Sequence, residues 1–317
     1  MASMIIGTGS ALPKNVVKNA DLAERLETSD AWIVERTGIK QRHVCSEGET
    51  TSTLATAAAK QALANANCAA SDIGLIIVGT SSPDLSFPSV ACQVQKALNI
   101  PVCPAFDVQA ACSGFIYALT IANKMLDSGQ KALVIGADTF SNLVDWEDRS
   151  TAVLFGDGAG AVVVEYTNTD EDRGFIGADL YADGQYVDFL KSSGGVATTG
   201  DAGHTMMNGR EVFRHATRAM SGLVDSLLAK YHYDREDVDW LIPHQANKRI
   251  IDATAKHLGL PEEKVILTVA QHANTSAASI PLALHHAVTH GKLEKGQLLL
   301  LEAFGAGFTW GGVLLKW

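Results

Sequence analysis

Short apolar runs alternate with longer segments of helical periodicity along the whole chain. Runs of about four to eight apolar residues are typical of buried strands, whereas apolar residues three and four apart indicate one buried face of a helix. The strand-like runs are residues 4–9, 73–80, 104–109, 131–137, 152–155, 160–165, 240–243, 265–269, 297–303 and 312–317. The helical patterns cover residues 50–66, 89–98, 113–128, 211–230, 247–258 and 277–290. This alternation predicts an α/β protein.

The two halves of the chain resemble each other. Three blocks match in the same order: SDIGLIIVG (71–79) with EDVDWLIPH (236–244), KALVIGAD (131–138) with QLLLLEAF (297–304), and FGDGAGAVVVE (155–165) with FGAGFTWGGVLLK (304–316). Self-similarity of this kind indicates an internal duplication. We therefore predict two similar α/β halves, residues 1–170 and 171–317, packed about a pseudo-two-fold axis.

Cys112 is the first candidate for chemistry. It lies where the apolar run PAFDVQAA gives way to the helical run GFIYALTIANKMLDSG. A thiol at the first turn of a helix lies near unpaired N–H groups and the positive end of the helix dipole, and both favour the nucleophilic thiolate. The alternative is a buried cysteine that acts only as a small apolar side chain.

His244 and Asn274 are expected to lie close to Cys112. In a duplicated fold the helix start at Cys112 faces the one that follows Asn274, and His244 ends a strand at the edge where α/β proteins form clefts. A neutral histidine and an asparagine supply two hydrogen-bond donors without a general base, which suits an enolate oxygen formed by loss of carbon dioxide. A half-buried structural histidine and a helix-capping asparagine are the alternatives.

Composition narrows the class of protein. The chain has 317 residues and a net charge of −10, so a basic surface for nucleic acid is not expected. Its five cysteines show no CxxC pair and no zinc spacing, which predicts neither a disulfide framework nor a metal site and favours the reducing cytoplasm. No apolar run is long enough for a membrane span, and no secretory signal is indicated. The glycine-rich FGDGAGA precedes a β-rich run rather than a helix, which argues against a phosphate loop.

Six motifs together resemble a known enzyme family. They are SDAWIVERTGI, AACSGF, FGDGAGA, PHQAN, HANTSAAS and LLEAFGAGFTWG, and the resemblance to β-ketoacyl-acyl carrier protein synthase III runs from Ile5 to the C-terminus. It implies a thiolase-like fold with five layers in the order αβαβα. It also implies an acyltransferase that initiates type II fatty acid synthesis: a short acyl-CoA, such as acetyl-CoA, and malonyl-ACP give 3-oxoacyl-ACP, carbon dioxide and CoA. The two thioesters are substrates, and no cofactor is implied.

The resemblance also implies roles for individual residues. Cys112 carries the acyl group, His244 and Asn274 bind the malonyl thioester, and the amides of Cys112 and Ala306 form the oxyanion hole. The implied contacts to CoA and pantetheine are Thr28, Trp32, Arg36, Arg149, Gly209, Phe213, Asn247 and Ile250. The implied contacts to the carrier protein are Gln245, Ala246, Asn247, Lys248, Arg249, Arg214 and Lys256, joined by Arg210 in one basic patch. The implied acyl pocket, with Phe87 reaching across a homodimer, is Phe87, Phe140, Phe155, Leu190 and Met207.

Two positions depart from the family pattern. Ala306, and Ser150 after Arg149, stand where many family members have glycine. If the loop at Ala306 requires a positive φ, alanine would strain it. Two alternative functions remain: a CoA-primed ketosynthase or acyltransferase of secondary metabolism with the same fold, and a non-catalytic module that docks a carrier protein.

Overall fold

The computed structural model describes residues 2–167 and 173–317. In chain order the strands are β1 (Ala2–Ala11), β2 (Asn15–Lys18), β3 (Gln41–Val44), β4 (Ile73–Gly79), β5 (Ala105–Val108), β6 (Lys131–Thr139), β7 (Asp157–Thr167), β8 (Gly174–Ala182), β9 (Leu190–Ser192), β10 (Thr205–Met207), β11 (Trp240–Pro243), β12 (Leu298–Gly305) and β13 (Thr309–Lys316). The helices are α1 (Asn19–Ala23), α2 (Asp30–Thr37), α3 (Thr51–Asn65), α4 (Val90–Leu98), α5 (Gly114–Met125), α6 (Arg149–Ala152), α7 (Gly209–Tyr231), α8 (Lys248–Leu258), α9 (Val269–His272) and α10 (Ser279–Thr289). Of the helices in these ranges, none is both long and apolar enough to cross a membrane.

Two mixed sheets repeat one strand order. The first runs β1-β7-β6-β4-β5, with β4 parallel to both of its neighbours and β7 antiparallel to β1 and β6. The second runs β11-β12-β13-β8, and beyond β11 a parallel bridge from Leu241 to Val265 stands at the place that β5 takes in the first sheet. The matched sequence blocks therefore occupy corresponding strands: β4 and β11, β6 and β12, β7 and β13. The predicted boundary at residue 170 lies outside the described residues.

Both sheets are covered on both faces, which gives the five αβαβα layers predicted for the fold. Helices α5 and α10 lie between the sheets, where Phe115 and Leu284 share a buried cluster with Ile77 of the first sheet and Leu301 of the second. Helices α3 and α4 cover the outer face of the first sheet. Helices α7 and α8 cover the outer face of the second. Because both faces are buried, the strands are continuous apolar runs rather than alternating ones.

Two of the predicted strands are wrong. Residues 152–155 begin with the last residue of α6, which Asp148 caps by accepting a hydrogen bond from Ser150 N, and Phe155 forms only an isolated bridge with Asn274. Within 265–269 only Val265 pairs, because the amides of Thr268 and Val269 donate to the side chain of Gln245 instead of to a strand. The sequence patterns did not predict the hairpin of β2 and β3, the helices α1, α2, α6 and α9, or the strands β8, β9 and β10.

Candidate active site

The two halves meet at a pair of short helical turns. Residues Ala111–Ser113 form a 3-10 turn that leads into α5, and Ser276–Ala278 form the equivalent turn before α10. Each turn begins with a non-glycine residue in the left-handed region, Ala111 at φ 46° and Ser276 at φ 51°. The turns face each other as predicted, since a Cβ on Gly114 would lie 3.3 Å from that of Ala277.

Glycines in the central strands allow this close approach. A Cβ on Gly136 of β6 would lie 2.1 Å from the carbonyl oxygen of Ala277. A Cβ on Gly305 of β12 would lie 2.8 Å from the backbone nitrogen of Cys112. In each half, a strand without a side chain at this position thus contacts the helix start of the other half. A side chain at Gly136 or Gly305 would push the two turns apart.

Cys112, His244 and Asn274 line one cavity between the halves. Most of the remaining wall is apolar. It is formed by Leu154, Phe155, Leu190, Met207, Gly209, Val212, Phe213, Ala216, Met220, Pro243, Ala246, Asn247, Ile250, Ile251, Glu302 and Phe304. The three residues that the sequence analysis selected are therefore brought together from the ends of three separate elements, and each of them is at least nine-tenths buried.

Burial works against the thiolate of Cys112. It raises the pKa of the thiol to about 12, the charge of Asp138 acts in the same direction, and the nearby Ser276 lowers the pKa. The backbone N–H of Cys112 at the helix start also lowers the pKa, in the predicted direction, but burial outweighs this contribution, so the thiolate is not favoured overall.

His244 is held neutral. Burial lowers the pKa of its imidazole to about 3, so the ring carries no charge near neutral pH. Ring atom Nδ1 lies 2.6 Å from the hydroxyl oxygen of Ser279, and the backbone N–H donates to the carbonyl of Glu302 at 2.8 Å. Nε2 is the ring nitrogen left for the cavity.

The amide of Asn274 is oriented by its own turn. Its Oδ1 accepts a hydrogen bond from Ser276 N at 2.9 Å, which leaves the NH₂ group as the end available to the cavity. The side chain therefore satisfies a helix-start amide, as the capping alternative supposed. It also presents a donor beside His244, so the two interpretations are compatible.

Two amides near the sulfur are available as donors. Among the hydrogen bonds of the described residues, neither Cys112 N nor Ala306 N donates to a carbonyl oxygen. Thr309 joins the turn at Ala306 to the segment before Cys112, with its hydroxyl 2.9 Å from Ala110 O and 3.0 Å from Ala306 O. Ala306 is not among the described non-glycine residues with positive φ, and neither is Ser150, so the departures from glycine produce no left-handed strain.

Glu302 is a cavity residue that the sequence analysis missed. It is 1% exposed, its Oε2 has no hydrogen-bond partner among the described residues, and burial raises the pKa of its carboxyl to about 8. The signal was present in the sequence, since a single acidic residue interrupts the run LLLLEAF of a fully buried strand. A buried carboxyl in an apolar wall is held in its neutral form.

Glu302→Gln should change how stability depends on pH. From about 4.5, the pKa in the unfolded chain, up to about 8, the folded protein retains a proton that the unfolded chain has released, so stability falls as pH rises through this window. The neutral amide removes that dependence. Relative to wild type, the unfolding free energy of the variant should therefore rise by about 1–4 kcal/mol between about pH 5 and pH 8, measured by urea unfolding. The exposed control Glu263→Gln should differ from wild type by the same unfolding free energy at every pH in this range. The same pH-independent difference for Glu302→Gln would contradict a buried neutral carboxyl.

The residues expected to bind the CoA nucleotide form a surface cluster at one aromatic ring. The guanidinium carbon of Arg149 lies 5.0 Å from the centre of the Trp32 ring, and that of Arg36 lies 5.9 Å away. Arg149 also donates to the carbonyl of Glu27 at 2.7 Å, beside Thr28. An indole face with two guanidinium groups suits a purine and its phosphates. Gly209, Phe213, Asn247 and Ile250 line the cavity itself.

Three of the five predicted acyl-pocket residues, Phe155, Leu190 and Met207, line the cavity. Phe140 lies behind Phe155, with the ring centres 4.6 Å apart. Phe87 is 85% exposed on this chain and does not line the cavity. The predicted position of Phe87 in the acyl pocket of a second subunit stays a prediction.

The structure removes Gln245 from the expected carrier-protein surface. Gln245 is fully buried, and its side chain donates to the carbonyls of Pro243 and Ile266 while accepting from two amides. Ala246 and Asn247 line the cavity, and Asn247 also caps α8 by accepting from Arg249 N at 2.9 Å.

The basic residues of that surface differ in their pairing. Lys248 is paired with Asp252 and Glu262, and Arg214 is paired with Glu211. Arg249 and Lys256 are exposed on α8, and neither belongs to an ion pair among the described residues. The guanidinium carbon of Arg249 lies 5.2 Å from the ring centre of Phe213, a cavity residue. No cluster of three or more His, Cys, Asp or Glu suited to a metal ion occurs in the described ranges.

Comparisons with known proteins agree in pointing to one family. A family model described as 3-oxoacyl-[acyl-carrier-protein (ACP)] synthase III matches residues 106–184, and the model of its C terminal matches residues 228–317. β-Ketoacyl-[acyl-carrier-protein] synthase III of Sphingopyxis alaskensis is 54% identical over 316 residues, which is 99% of this chain and 98% of the relative. The crystal structure of 3-oxoacyl-[acyl-carrier-protein] synthase III from Aquifex aeolicus VF5 superposes with a TM-score of 0.94 at 48% identity, covering 99% of this chain and 100% of that one. The priming β-ketosynthase of the R1128 polyketide biosynthetic pathway gives 0.92 at 32% identity, covering 99% and 96%.

Proposed function

Because this chain belongs to the 3-oxoacyl-[acyl-carrier-protein] synthase III family, we propose that it loads a short acyl group from acyl-CoA onto Cys112 and condenses it with malonyl-ACP. The chain is a condensing acyltransferase of fatty acid synthesis and carries out its initiating condensation. One observation carries the assignment of residues: Cys112, His244 and Asn274 line a single, mostly apolar cavity. Acetyl-CoA is the proposed primer, and the two thioesters supply all the chemistry, so no cofactor takes part.

The first half-reaction transfers the acyl group. The sulfur of Cys112 attacks the carbonyl carbon of acyl-CoA, and the amides of Cys112 and Ala306 bind the oxyanion. As the tetrahedral intermediate collapses, the carbon–sulfur bond to CoA breaks, and the thiol proton of Cys112 ends on the CoA sulfur.

The second half-reaction begins with decarboxylation of malonyl-ACP. The N–H of His244 and the NH₂ group of Asn274 donate to the thioester carbonyl, and negative charge develops on that oxygen as carbon dioxide leaves. Neutral donors in an apolar cavity stabilise the enolate without protonating it. The low pKa of His244 supports this role, because an imidazolium would readily give its proton to the enolate.

Condensation completes the cycle. The enolate carbon attacks the acyl-Cys112 carbonyl, whose oxygen is again held by the two amides. Collapse of this intermediate expels the Cys112 thiolate and leaves 3-oxoacyl-ACP; a proton taken up from solvent restores the thiol. The apolar wall around the cavity favours this outcome over hydrolysis because it keeps water away from the acyl-enzyme.

Partners and location follow from the same assignment. We propose a homodimer in which Phe87 reaches the acyl pocket of the second subunit, since Leu85, Phe87 and Val102 are exposed apolar residues and Val102 lies just before β5, the edge strand of the first sheet. We also propose that the enzyme is cytoplasmic, where CoA thioesters and the carrier protein are present together.

The reaction itself is tested with purified protein, acetyl-CoA and malonyl-ACP. We expect acetoacetyl-ACP, free CoA and carbon dioxide in equal amounts. A secondary-metabolism ketosynthase, the less favoured alternative, would prefer another primer over acetyl-CoA. A docking module would bind the carrier protein and form no product, and this result would overturn the proposed function.

Arg249→Glu should weaken the use of malonyl-ACP more than the use of acetyl-CoA. The carrier protein is acidic, and Arg249 is an exposed cation beside the cavity that lacks an ion-pair partner among the described residues. Reversing its charge should lower kcat/KM for malonyl-ACP about tenfold, and less at high salt. The rate of acetylation of Cys112 should stay near wild type. Lys60→Glu, an equal charge change on α3 at the opposite face, is the control; an equal loss in both half-reactions of Arg249→Glu would contradict the carrier contact.

A further inference from the structure

Ser279 is the first residue of α10 and contacts the ring of His244. Its hydroxyl oxygen lies 2.6 Å from His244 Nδ1, and the exposed fractions of the two residues are 1% and 7%. The proposed reaction does not by itself require a hydroxyl at this position. It is a buried polar contact to a ring that faces the substrate cavity, so its direction decides which ring nitrogen carries the proton.

The direction of this hydrogen bond follows from counting donors and acceptors. The backbone N–H of Gln245 already donates to the Ser279 oxygen at 3.3 Å. Within the described residues, Nδ1 of His244 is the one acceptor that the Ser279 hydrogen reaches. If Nδ1 carried the proton, the hydroxyl hydrogen would be buried without an acceptor, an arrangement that folded proteins avoid. Ser279 therefore donates, Nδ1 accepts, and the single proton of the neutral ring lies on Nε2.

Gln245 keeps this arrangement fixed. Its side-chain nitrogen donates to Pro243 O at 2.8 Å and to Ile266 O at 3.0 Å, and its side-chain oxygen accepts from the amides of Thr268 and Val269. A fully buried side chain held by four hydrogen bonds anchors the backbone N–H that points at Ser279. The hydrogen bonds that bury Gln245, and so remove it from the carrier-protein surface, thus help to position Ser279 beside His244.

The first half of the duplicated fold shows what this position looks like without a histidine. There the sequence match places Gly79 where His244 stands, and Gly114, the first residue of α5, where Ser279 stands. A Cβ on Gly79 would lie 2.5 Å from the carbonyl carbon of Gly114, so the two backbones are in contact. The fold therefore forms a strand end and helix start here without polar side chains, and the histidine–serine pair is specific to the half that carries His244.

We propose that Ser279 is a positioning residue that holds neutral His244 in the tautomer with the proton on Nε2. That tautomer presents an N–H donor to the cavity, whereas the other would present a lone pair and repel a thioester oxygen. The use of this donor in decarboxylation rests on the proposed function. The tautomer itself is a property of the free protein.

The tautomer is measured by long-range ¹H–¹⁵N correlation on protein labelled with ¹⁵N-histidine, with His244→Ala identifying the signals. We expect wild type to show Nε2–H alone, and Ser279→Ala to show both tautomers or Nδ1–H. Ser279→Ala removes a single oxygen atom, so the fold should persist, and Ser3→Ala, which removes another buried hydroxyl, is the control. Wild-type His244 protonated at Nδ1, or an unchanged tautomer in Ser279→Ala, would overturn the proposal.

Kinetics of the two half-reactions separate this proposal from the proposed function. Ser279→Ala should lower malonyl-ACP decarboxylation about 10- to 100-fold while acetylation of Cys112 changes less than about twofold, and Ser279→Thr should recover part of the lost rate. If Ser279→Ala loses the Nε2–H tautomer but decarboxylates malonyl-ACP at the wild-type rate, Ser279 still sets the tautomer. His244 is then refuted as the donor in decarboxylation. Equal losses in both half-reactions with a normal tautomer would show a merely structural effect and overturn the positioning role.

Discussion

Cys112→Ser should form no acetyl adduct when the protein is mixed with acetyl-CoA, and condensation should fall about a thousandfold or more. The serine hydroxyl loses its proton far less readily than the thiol. His244 supplies no positive charge that would stabilise a serine alkoxide, because it is buried and its pKa is lowered to about 3. Intact-protein mass spectrometry detects the adduct, and the formation of acetoacetyl-ACP from malonyl-ACP measures the condensation.

The remaining cysteines provide the control for this prediction. Cys68 is partly exposed and does not line the cavity, so Cys68→Ser should acetylate and turn over as wild type does. An adduct of undiminished yield on Cys112→Ser would mean that another residue carries the acyl group. The inference from the duplicated fold that the reacting residue lies in the turn at Cys112 would then be wrong.

His244→Ala and Asn274→Ala should each still acetylate Cys112 but should lose decarboxylation of malonyl-ACP by about 100- to 1000-fold. Each substitution removes one of the two donors that face the developing enolate oxygen, and the other donor cannot take over its position. The proposed oxyanion hole, formed by the amides of Cys112 and Ala306, is untouched, so the first half-reaction should proceed. Release of labelled carbon dioxide measures the second step, and the mass of the acetyl-enzyme measures the first.

Combining His244→Ala with Asn274→Ala tests whether the two side chains act together. Because both donors act on one oxygen, the double variant should be little worse than either single one. Normal decarboxylation in either single variant would show that the division of roles between Cys112 and the two donors is wrong. Loss of acetylation in both would instead assign His244 and Asn274 to the first half-reaction.

Much of this arrangement could be predicted from the sequence because duplication leaves a strong pattern. Three matched blocks placed corresponding strands in two sheets, and the helix starts at Cys112 and after Asn274 then had to face each other. Apolar continuity in the run LLLLEAF indicated a strand buried on both faces, as β12 is.

The electrostatics of the site could not be predicted in the same way. The sequence places Cys112 at a helix start, but the thiol pKa also depends on how much water the folded cavity excludes, and burial outweighs the contribution of the helix start. From the sequence, Glu302 and Gln245 are recognisable only as polar residues. Only the packed structure shows that one is held neutral in the cavity wall and the other is saturated by four hydrogen bonds. The contact of Ser279 with His244 joins residues 35 positions apart and has no local sequence signal.

The central claim is that Cys112 carries the acyl group between two separate half-reactions. The most direct measurement is a sequential mass-spectrometric experiment on the wild-type protein: acetyl-CoA is added and removed, and malonyl-ACP follows. We predict one acetyl group on the peptide that contains Cys112 after the first step, and its quantitative transfer into acetoacetyl-ACP after the second. An unmodified Cys112 peptide after the first step, or an acetyl group that malonyl-ACP fails to remove, would contradict the claim.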